Sequence, residues 1–393
     1  MLYNRSMDNK MLEGAIKVLK KFEEEQYEAY IVGGFVRDYL LDMDAYDIDI
    51  TTNCLPDEIE RIFPDSFVQS TKYRTVTVSM DGYRYEVTTY RSDRKYSDHR
   101  HPETKVTKTL KQDVRRRDFT INALCLDSDL NVIDYNNGLV DLKKKIIRTV
   151  GSPIRRLSED ALRIFRAFRF ASRLDFEIDK DTMNAIRINI PLLKYISKER
   201  VRTELTKTLG EPHFKKVLPT MLDAGLFKVY PDILEAAKVL NRNYIQVDLI
   251  ELITIASYIK GSVTDEILLS RKEIKQINQT IEYIKIFESR TLSKKSLLDV
   301  SMECIESAMK IMNVFHNSIY TLDEVNDLLK EMPISSSKEL DINGFDIKKA
   351  FKLEDSPLIK KYLDMALDVV VGGYCQNKKT KITKYLKENR IDE

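Results

Sequence analysis

The chain has 393 residues, 43% of them hydrophobic and 32% charged, with 64 Lys and Arg against 62 Asp and Glu. That length holds roughly two to four domains, and the composition is that of a folded globular protein, neither disordered nor fibrous. No run of about 18 apolar residues occurs, and the first ten residues are polar, which excludes an apolar membrane span and predicts no secretion signal.

Residues 11–29 show the Glu- and Lys-rich pattern of a helix, and residues 30–32 a short apolar strand that stops at Gly33-Gly34. Residues 46–51 (YDIDIT) alternate apolar and polar, the period of a half-buried strand. Residues 75–80 and 83–90 flank Asp81-Gly82, a two-residue linker that predicts a hairpin. Residues 92–109 are polar and without period, and read as a mobile loop. The stretch 91–117 is basic, with ten Lys/Arg against four Asp/Glu. Residues 120–126 and 132–135 read as further strands. After Pro153 the texture changes: apolar residues recur at three- and four-residue spacing, and no proline falls between Pro231 and Pro333. The chain therefore reads as α+β, a mixed first part over 1–150 followed by an all-α region. Residues 210–212 and 333–337 are candidate internal boundaries. Residues 376–390 are basic again, with six Lys/Arg to one Glu. Two such segments favour a phosphate-bearing partner, although a solvated face explains either one alone. The four cysteines (Cys54, Cys125, Cys304, Cys375) form no CxxC pair, which argues against structural zinc or a disulfide framework and predicts a reducing cytoplasm.

Three constellations carry chemistry. The first is Gly33-Gly34-Phe35-Val36-Arg37-Asp38 followed by Asp47-Ile48-Asp49. Positions i and i+2 of a strand share a face, so Asp47 and Asp49 are expected to aim two carboxylates at one spot, where a bound cation such as Mg²⁺ relieves their repulsion. Gly33-Gly34 leaves no side chain between the backbone and a triphosphate, and Arg37 supplies a fixed positive charge. Glu86 becomes a third carboxylate if its strand pairs beside the Asp47–Asp49 segment; an ordinary cross-strand charge pair is the alternative. The second constellation is Arg115-Arg116-Arg117-Asp118, leading into Phe119-Thr120-Ile121-Asn122-Ala123. Three consecutive arginines cannot share one face, so some reach a phosphate or a carboxylate and the rest face solvent. The third runs from Ser158 through Glu159, Asp160 and Arg163 to Arg166 and Arg169. Ser158 reads as the N-cap of one helix, with Glu159 and Arg163 spaced as a helical ion pair. The spacing places Asp160 and Arg163 at one end, toward a base, and Arg166 and Arg169 nearer phosphate or structural acids.

Taken in order, GGFVRD, DIDITT, EVTTYR, RRRDFTINA and SEDALRIFRAFRF resemble the bacterial-type (class II) CCA-adding enzymes, tRNA nucleotidyltransferases of the polymerase β superfamily. The segment at 341–346 (DINGFD) is similar to the family's tail. The resemblance implies a polymerase-β-like nucleotidyltransferase head over 1–150, a helical neck over 151–210, a helical body over 211–332 and a helical tail over 333–393 that binds tRNA. It implies two Mg²⁺ ions on Asp47 and Asp49, nucleotide-phosphate contacts from Gly34 and Arg37, and nucleotide-site roles for Arg117 with its neighbour Asp118, and for Arg166 and Arg169. It makes Asp160 and Arg163 the pair that reads the base, oriented by Glu159. It also ties the loop at 92–109 to the final A addition. Cytosine and adenine each show an amino donor beside a ring-nitrogen acceptor, while guanine and uracil show the reverse. An acceptor-only Asp beside a donor-only Arg therefore complements C and A and mismatches G and U.

The implied partners are the tRNA 3′ end, CTP and ATP. A poly(A) polymerase, an enzyme adding only CC or only A, and a catalytically inactive RNA-binding scaffold remain alternatives. A fused metal-dependent phosphohydrolase needs an adjacent His-Asp pair, which the four histidines (His99, His101, His213, His316) do not provide. Oligomeric state is not encoded in any of these patterns.

Overall fold

A computed structural model describes residues 9–70, 74–96, 102–315, 320–354 and 357–390. The chain divides into two compact units, residues 1–231 and 232–393.

The first unit opens with α1 (Asn9–Glu24), whose Leu12, Ala15, Val18, Leu19 and Phe22 recur at helical spacing and are buried. The helix ends short of the expected residue 29, because Gln26 adopts a left-handed conformation (φ 63°) and Ala29 already belongs to β1 (Ala29–Val32). There follow α2 (Gly34–Leu40), β2 (Asp49–Thr52), α3 (Pro56–Ile62), β3 (Phe67–Ser70), β4 (Thr75–Met80) and β5 (Tyr83–Thr89). Asp81 and Gly82, at φ 52° and 82°, close the β4–β5 hairpin with Met80 opposite Tyr83, as the Asp-Gly linker predicts.

Next come β6 (Arg91–Tyr96) and β7 (Pro102–Val106), then α4 (Leu110–Arg115), β8 (Cys125–Leu126), β9 (Val132–Ile133) and α5 (Gly138–Lys144). The segment read as a mobile loop is thus an antiparallel ribbon over its described residues, with Arg91 opposite Val106 and Asp93 opposite Thr104. A ribbon that joins no larger sheet needs no apolar face, so its sequence shows no period. His99 and His101 lie outside the described residues. Residues 120–122, expected in a strand, form a 3₁₀ turn. There the Thr120 hydroxyl donates to Asp141 Oδ2 (2.7 Å) and Asn122 Nδ2 to Asp118 Oδ1 (3.0 Å). Such side-chain bonds compete with a strand ladder.

The main sheet has seven strands in the order β3-β4-β5-β2-β1-β8-β9. Only β2 and β5 run parallel, with Asp49 beside Glu86; the other pairs are antiparallel. Val32, Tyr90, Leu110, Val114, Cys125 and Val150 form a buried cluster that fastens α4 to the sheet.

The remainder of the first unit holds β10 (Ile146–Ile147), α6 (Pro153–Glu159), α7 (Leu162–Leu174), β11 (Glu177–Ile178), α8 (Lys180–Asn189), α9 (Lys198–Leu209) and α10 (Phe214–Ala224). β10 and β11 pair in parallel, and α7 packs against α9 and α10. Ser158 does not start a helix; it lies within α6, and its Oγ donates to the Arg155 carbonyl (2.9 Å). The break comes two residues later. Asp160 is extended (φ −144°), and its Oδ1 accepts from the Leu162 amide (3.1 Å), restarting the chain as α7.

The helix α11 (Pro231–Arg242) begins at the division between the units. The second unit continues with α12 (Leu249–Lys260), α13 (Arg271–Glu288), α14 (Met302–Phe315), α15 (Leu322–Lys330), α16 (Gly344–Phe351), α17 (Pro357–Val371) and α18 (Lys379–Glu388). Reciprocal capping boxes open four of them, at Asp248/Glu251, Ser270/Glu273, Thr321/Glu324 and Asn343/Asp346. Ile347, Tyr362, Ala366, Val370, Ile382 and Leu386 join α16, α17 and α18 in one core. Among the described residues no helix is long and apolar enough to cross a membrane.

Candidate active site

Three cavities meet at Asp49. The first, about 370 Å³, is lined by Gly33, Gly34, Arg37, Asp47, Asp49, Arg117, Asp118, Arg166 and Arg169, together with Asp38, Asn122, Phe170 and Arg173. The second, about 300 Å³, has Thr51, Thr75 and Thr88 with Arg91, Arg116 and Arg117, and again Asp49 and Glu86. The third, about 450 Å³, collects Asp47, Asp49 and Glu86.

Asp47 precedes β2 and does not lie within it, since the strand begins at Asp49. The i, i+2 strand argument therefore fails in its literal form, although both carboxylates reach the first and third cavities. The parallel β2–β5 register sets Glu86 beside Asp49, which meets the condition for a third carboxylate. Glu86 is not spent on Arg84 or Arg91; it accepts from Gln69 Nε2 (3.1 Å). Among the described residues no three His, Cys, Asp or Glu side chains are already gathered as a metal cage. Asp49 still meets solvent, but protein walls surround its carboxylate. Desolvation there, then the charges of Asp47 and Glu86, push its pKa from the ordinary 3.8 to about 6, against the pull of Arg117. Neither the Asp47 nor the Asp49 carboxylate makes a hydrogen bond or ion pair among the described residues. Oxygen-only donors, unspent and mutually repelling, suit a hard divalent cation.

The turn that enters α2 explains Gly33. Its φ is +83°, and a Cβ there would stand 3.4 Å from both Arg117 Nη1 and Asp49 Oδ2. Arg37 is buried and fixed, but its charge is not free. Its Nε and Nη2 bind Asp38 (2.8 and 2.9 Å), and its Nη1 donates to Asn122 Oδ1 (2.6 Å). Asp38 also takes Arg173 Nη2 (2.9 Å).

The arginine triplet divides as its geometry requires. Arg115 is exposed at the end of α4, whereas Arg116 (3.0 Å) and Arg117 (3.8 Å) turn toward the buried Asp113. Arg117 Nε is buried without a hydrogen-bond partner among the described residues. Asp118 accepts from Arg166 Nε and Nη2 (2.7 and 2.5 Å) and from Asn122. Burial alone would raise the Asp118 pKa, but Arg166 and these hydrogen bonds hold it well below the usual carboxylate range. Arg169 Nε lies 3.0 Å from Glu204 of α9. Arg37, Arg166 and Arg169 all stand over the Phe170 ring, at 4.9, 5.2 and 4.7 Å from its centre.

The other three expected site residues are placed apart from this wall. Glu159 lines a smaller cavity with Arg115, Arg116, Arg155 and Arg156. It accepts from Arg156 Nη1 (2.8 Å) and from Arg163 Nη1 (3.3 Å). Arg163 is buried and also donates to the carbonyls of Arg156 (2.8 Å) and Arg116 (3.2 Å). Asp160 sits in the joint between α6 and α7, and its Oδ2 accepts from Arg200 Nη2 (2.9 Å). Asp38, Asn122 and Phe170 stand within the sequence motifs but were given no role there, and Arg173, Arg200 and Glu204 were not singled out. Arg173 continues the three-to-four-residue rhythm of Arg166 and Arg169, and that signal was available. Arg200 and Glu204 reach the site only through the packing of α9, which no local pattern announces.

Comparison with known proteins agrees with this geometry. Family models match residues 29–148 (Poly A polymerase head domain), 175–236 (Probable RNA and SrmB- binding site of polymerase A) and 252–386 (tRNA nucleotidyltransferase domain 2). The CCA-adding enzyme of Staphylococcus haemolyticus is 34% identical over 98% of this chain and 99% of its own. That of Limosilactobacillus reuteri is 34% identical over 96% and 97%. The crystal structure of the Bacillus stearothermophilus CCA-adding enzyme in complex with CTP superposes with a TM-score of 0.80 at 29% identity, covering 96% of this chain and 97% of that one. The Thermotoga maritima CCA-adding enzyme complexed with tRNA shares the fold, with a TM-score of 0.67 at 23% identity over 98% and 97%. With full-length identity above 30%, and a cleft in which paired carboxylates face a wall of arginines, the chain belongs to the family of CCA-adding enzymes.

Proposed function

We propose that the chain adds C, C and A in turn to the 3′ end of tRNA from CTP and ATP, releasing pyrophosphate, with no nucleic-acid template. The observation that carries this reading is the position of Asp49, on the wall shared by an arginine-lined cavity and a threonine- and arginine-lined one. A transfer reaction must hold two substrates against one reactive point. The arginine-lined cavity suits a triphosphate, and its neighbour the terminal ribose and phosphates of the RNA.

Asp47 and Asp49 would hold the divalent cation, with Glu86 beside them; we assign it as Mg²⁺ in two positions. When bound, it supplies Lewis-acid stabilisation of the 3′ oxygen and of the leaving pyrophosphate. Arg117, Arg166 and Arg169 offset the negative charge that gathers at the α-phosphate, from positions already fixed by Asp113, Asp118 and Glu204. Arg37 lines the triphosphate cavity and holds Asn122 in place. Asp160 and Arg163 read the base. Two of the roughly four lone-pair sites on the Asp160 carboxylate are engaged within the protein, as are three of the five Arg163 donors, so both retain capacity for a nucleobase edge. Glu159 orients Arg163 through their 3.3 Å pair. The proposed domains are a catalytic head (1–150), a neck (151–210), a body (211–332) and a tail (333–393), the last two holding tRNA. The proposed compartment is the cytoplasm, whose reducing conditions suit four free cysteines.

Primer extension tests the reading. A tRNA ending at the discriminator base is incubated with CTP alone, ATP alone, or both. Three added residues that require both nucleotides support it. Long oligo(A) from ATP alone would instead make the chain a poly(A) polymerase.

A further inference from the structure

We propose that Arg200 is a positioning residue for nucleotide selection, acting through Asp160; the inference rests on the base-reading role of Asp160 given above. Asp160 stands in a helix break, where regular backbone bonding does not fix its side chain. Two contacts fix it instead. Oδ1 takes the Leu162 amide (3.1 Å) and Oδ2 takes Arg200 Nη2 (2.9 Å). The first contact tethers the carboxylate to its own chain two residues on, and a carboxylate held at one oxygen still swings about that bond. Arg200 comes from α9, forty residues away, and removes that freedom.

The neighbouring turn of α9 supports the same reading. Glu204 lies four residues beyond Arg200, on the same helix face. It pairs with Arg169 (3.0 Å) and approaches Arg166 (3.9 Å). One face of α9 therefore braces the acceptor of the base-reading pair at one end and the arginines of the phosphate wall at the other. Among the described residues Arg200 Nη1 is buried and has no hydrogen-bond partner, while Nη2 is given to Asp160. Two oxygens anchored this way direct the remaining Asp160 lone pairs along one line. A nucleobase presenting an amino group on that line is accepted, and one presenting a carbonyl meets an acceptor. With Arg200 gone, the carboxylate can turn aside from the mismatched carbonyl.

The test uses the full-length enzyme and single additions to tRNA lacking CCA, with CTP, UTP, ATP and GTP. Arg200→Met is expected to lower the CTP-over-UTP ratio of kcat/KM roughly tenfold or more, chiefly through a higher KM for CTP and better use of UTP. Arg200→Lys, which keeps a charge without the planar fork, should lower the ratio in the same direction by less and guards against misfolding of the Met variant. In an Asp160→Ala background, Arg200→Met should change selectivity no further. An equal fall in kcat/KM for all four nucleotides would show a merely structural role and overturn the inference, as would a selectivity effect that adds to that of Asp160→Ala. Unchanged selectivity in Asp160→Ala alone would remove the base-reading assignment, and this inference with it. A collapse in Asp160→Ala but not in Arg200→Met would refute only the role of Arg200.

Discussion

Asp49 is a carboxylate that the metal-free fold holds at a disadvantage. Its pKa is raised to about 6, so the folded chain keeps this proton where the unfolded chain, near 3.8, has lost it. Stability of the metal-free protein therefore falls as pH rises from about 4 to about 6, and the full penalty persists above that. Asp49→Asn should raise the Tm of the protein in a chelating buffer at pH 7.5, with a gain that shrinks toward pH 5, while kcat drops roughly a thousandfold or more. A Tm difference that does not vary with pH would refute the electrostatic account. The charge trap itself was visible in the DIDI pattern. What the pattern could not give was the way Asp47 reaches the site, because alternation predicts a strand from residue 46 and the strand starts at Asp49. The same limit applies to Arg37. Sequence marks it as a nearby cation, but only the fold shows that Asp38 and Asn122 consume its donors.

The turn between β1 and α2 illustrates how an element can be read correctly from local chemistry. The apolar strand was expected to stop at Gly33-Gly34, and β1 does end at Val32, with Gly33 at φ +83°; the helix α2 that follows was not foreseen. Gly33→Ala should cost about 1–3 kcal/mol in stability, because φ 83° with ψ −142° is a backbone conformation that glycine alone adopts readily. It should also raise KM for both nucleotides, since the added methyl group stands against Arg117 and Asp49. Steady-state kinetics beside urea unfolding separates the two effects, and an unchanged KM would sink the cradle assignment. The Asp-Gly hairpin was equally readable, because two residues decide it. The ribbon of β6 and β7 and the joint at Asp160 were not. The ribbon pairs only with itself, so no larger sheet imposes a period on it. The joint arises because one side chain captures a backbone amide within an otherwise helix-forming stretch.

The whole chain joins a mixed head to a long helical remainder, and this division was plain from the helical periodicity that sets in after Pro153. Contacts that bind distant segments were not, such as the one between Asp160 and Arg200. Binding of tRNA should weaken about tenfold or more between about 50 and 200 mM salt. Replacing exposed Lys378, Lys381 and Lys387, in and beside α18, by Gln should weaken tRNA binding and flatten that salt dependence, with CTP affinity unchanged. Filter binding across a salt series checks this, and an unaltered slope would remove the C-terminal region from the RNA path. The partition at Asp49 has its own consequence for growth of the RNA. The arginine-lined cavity and its threonine-bearing neighbour share two lining residues, Asp49 and Arg117. If the triphosphate fills the first cavity and the RNA end the second, as proposed, the new terminal nucleotide would pass that shared edge to become the next acceptor. Three successive additions would then each advance the RNA end by one nucleotide past the same two residues.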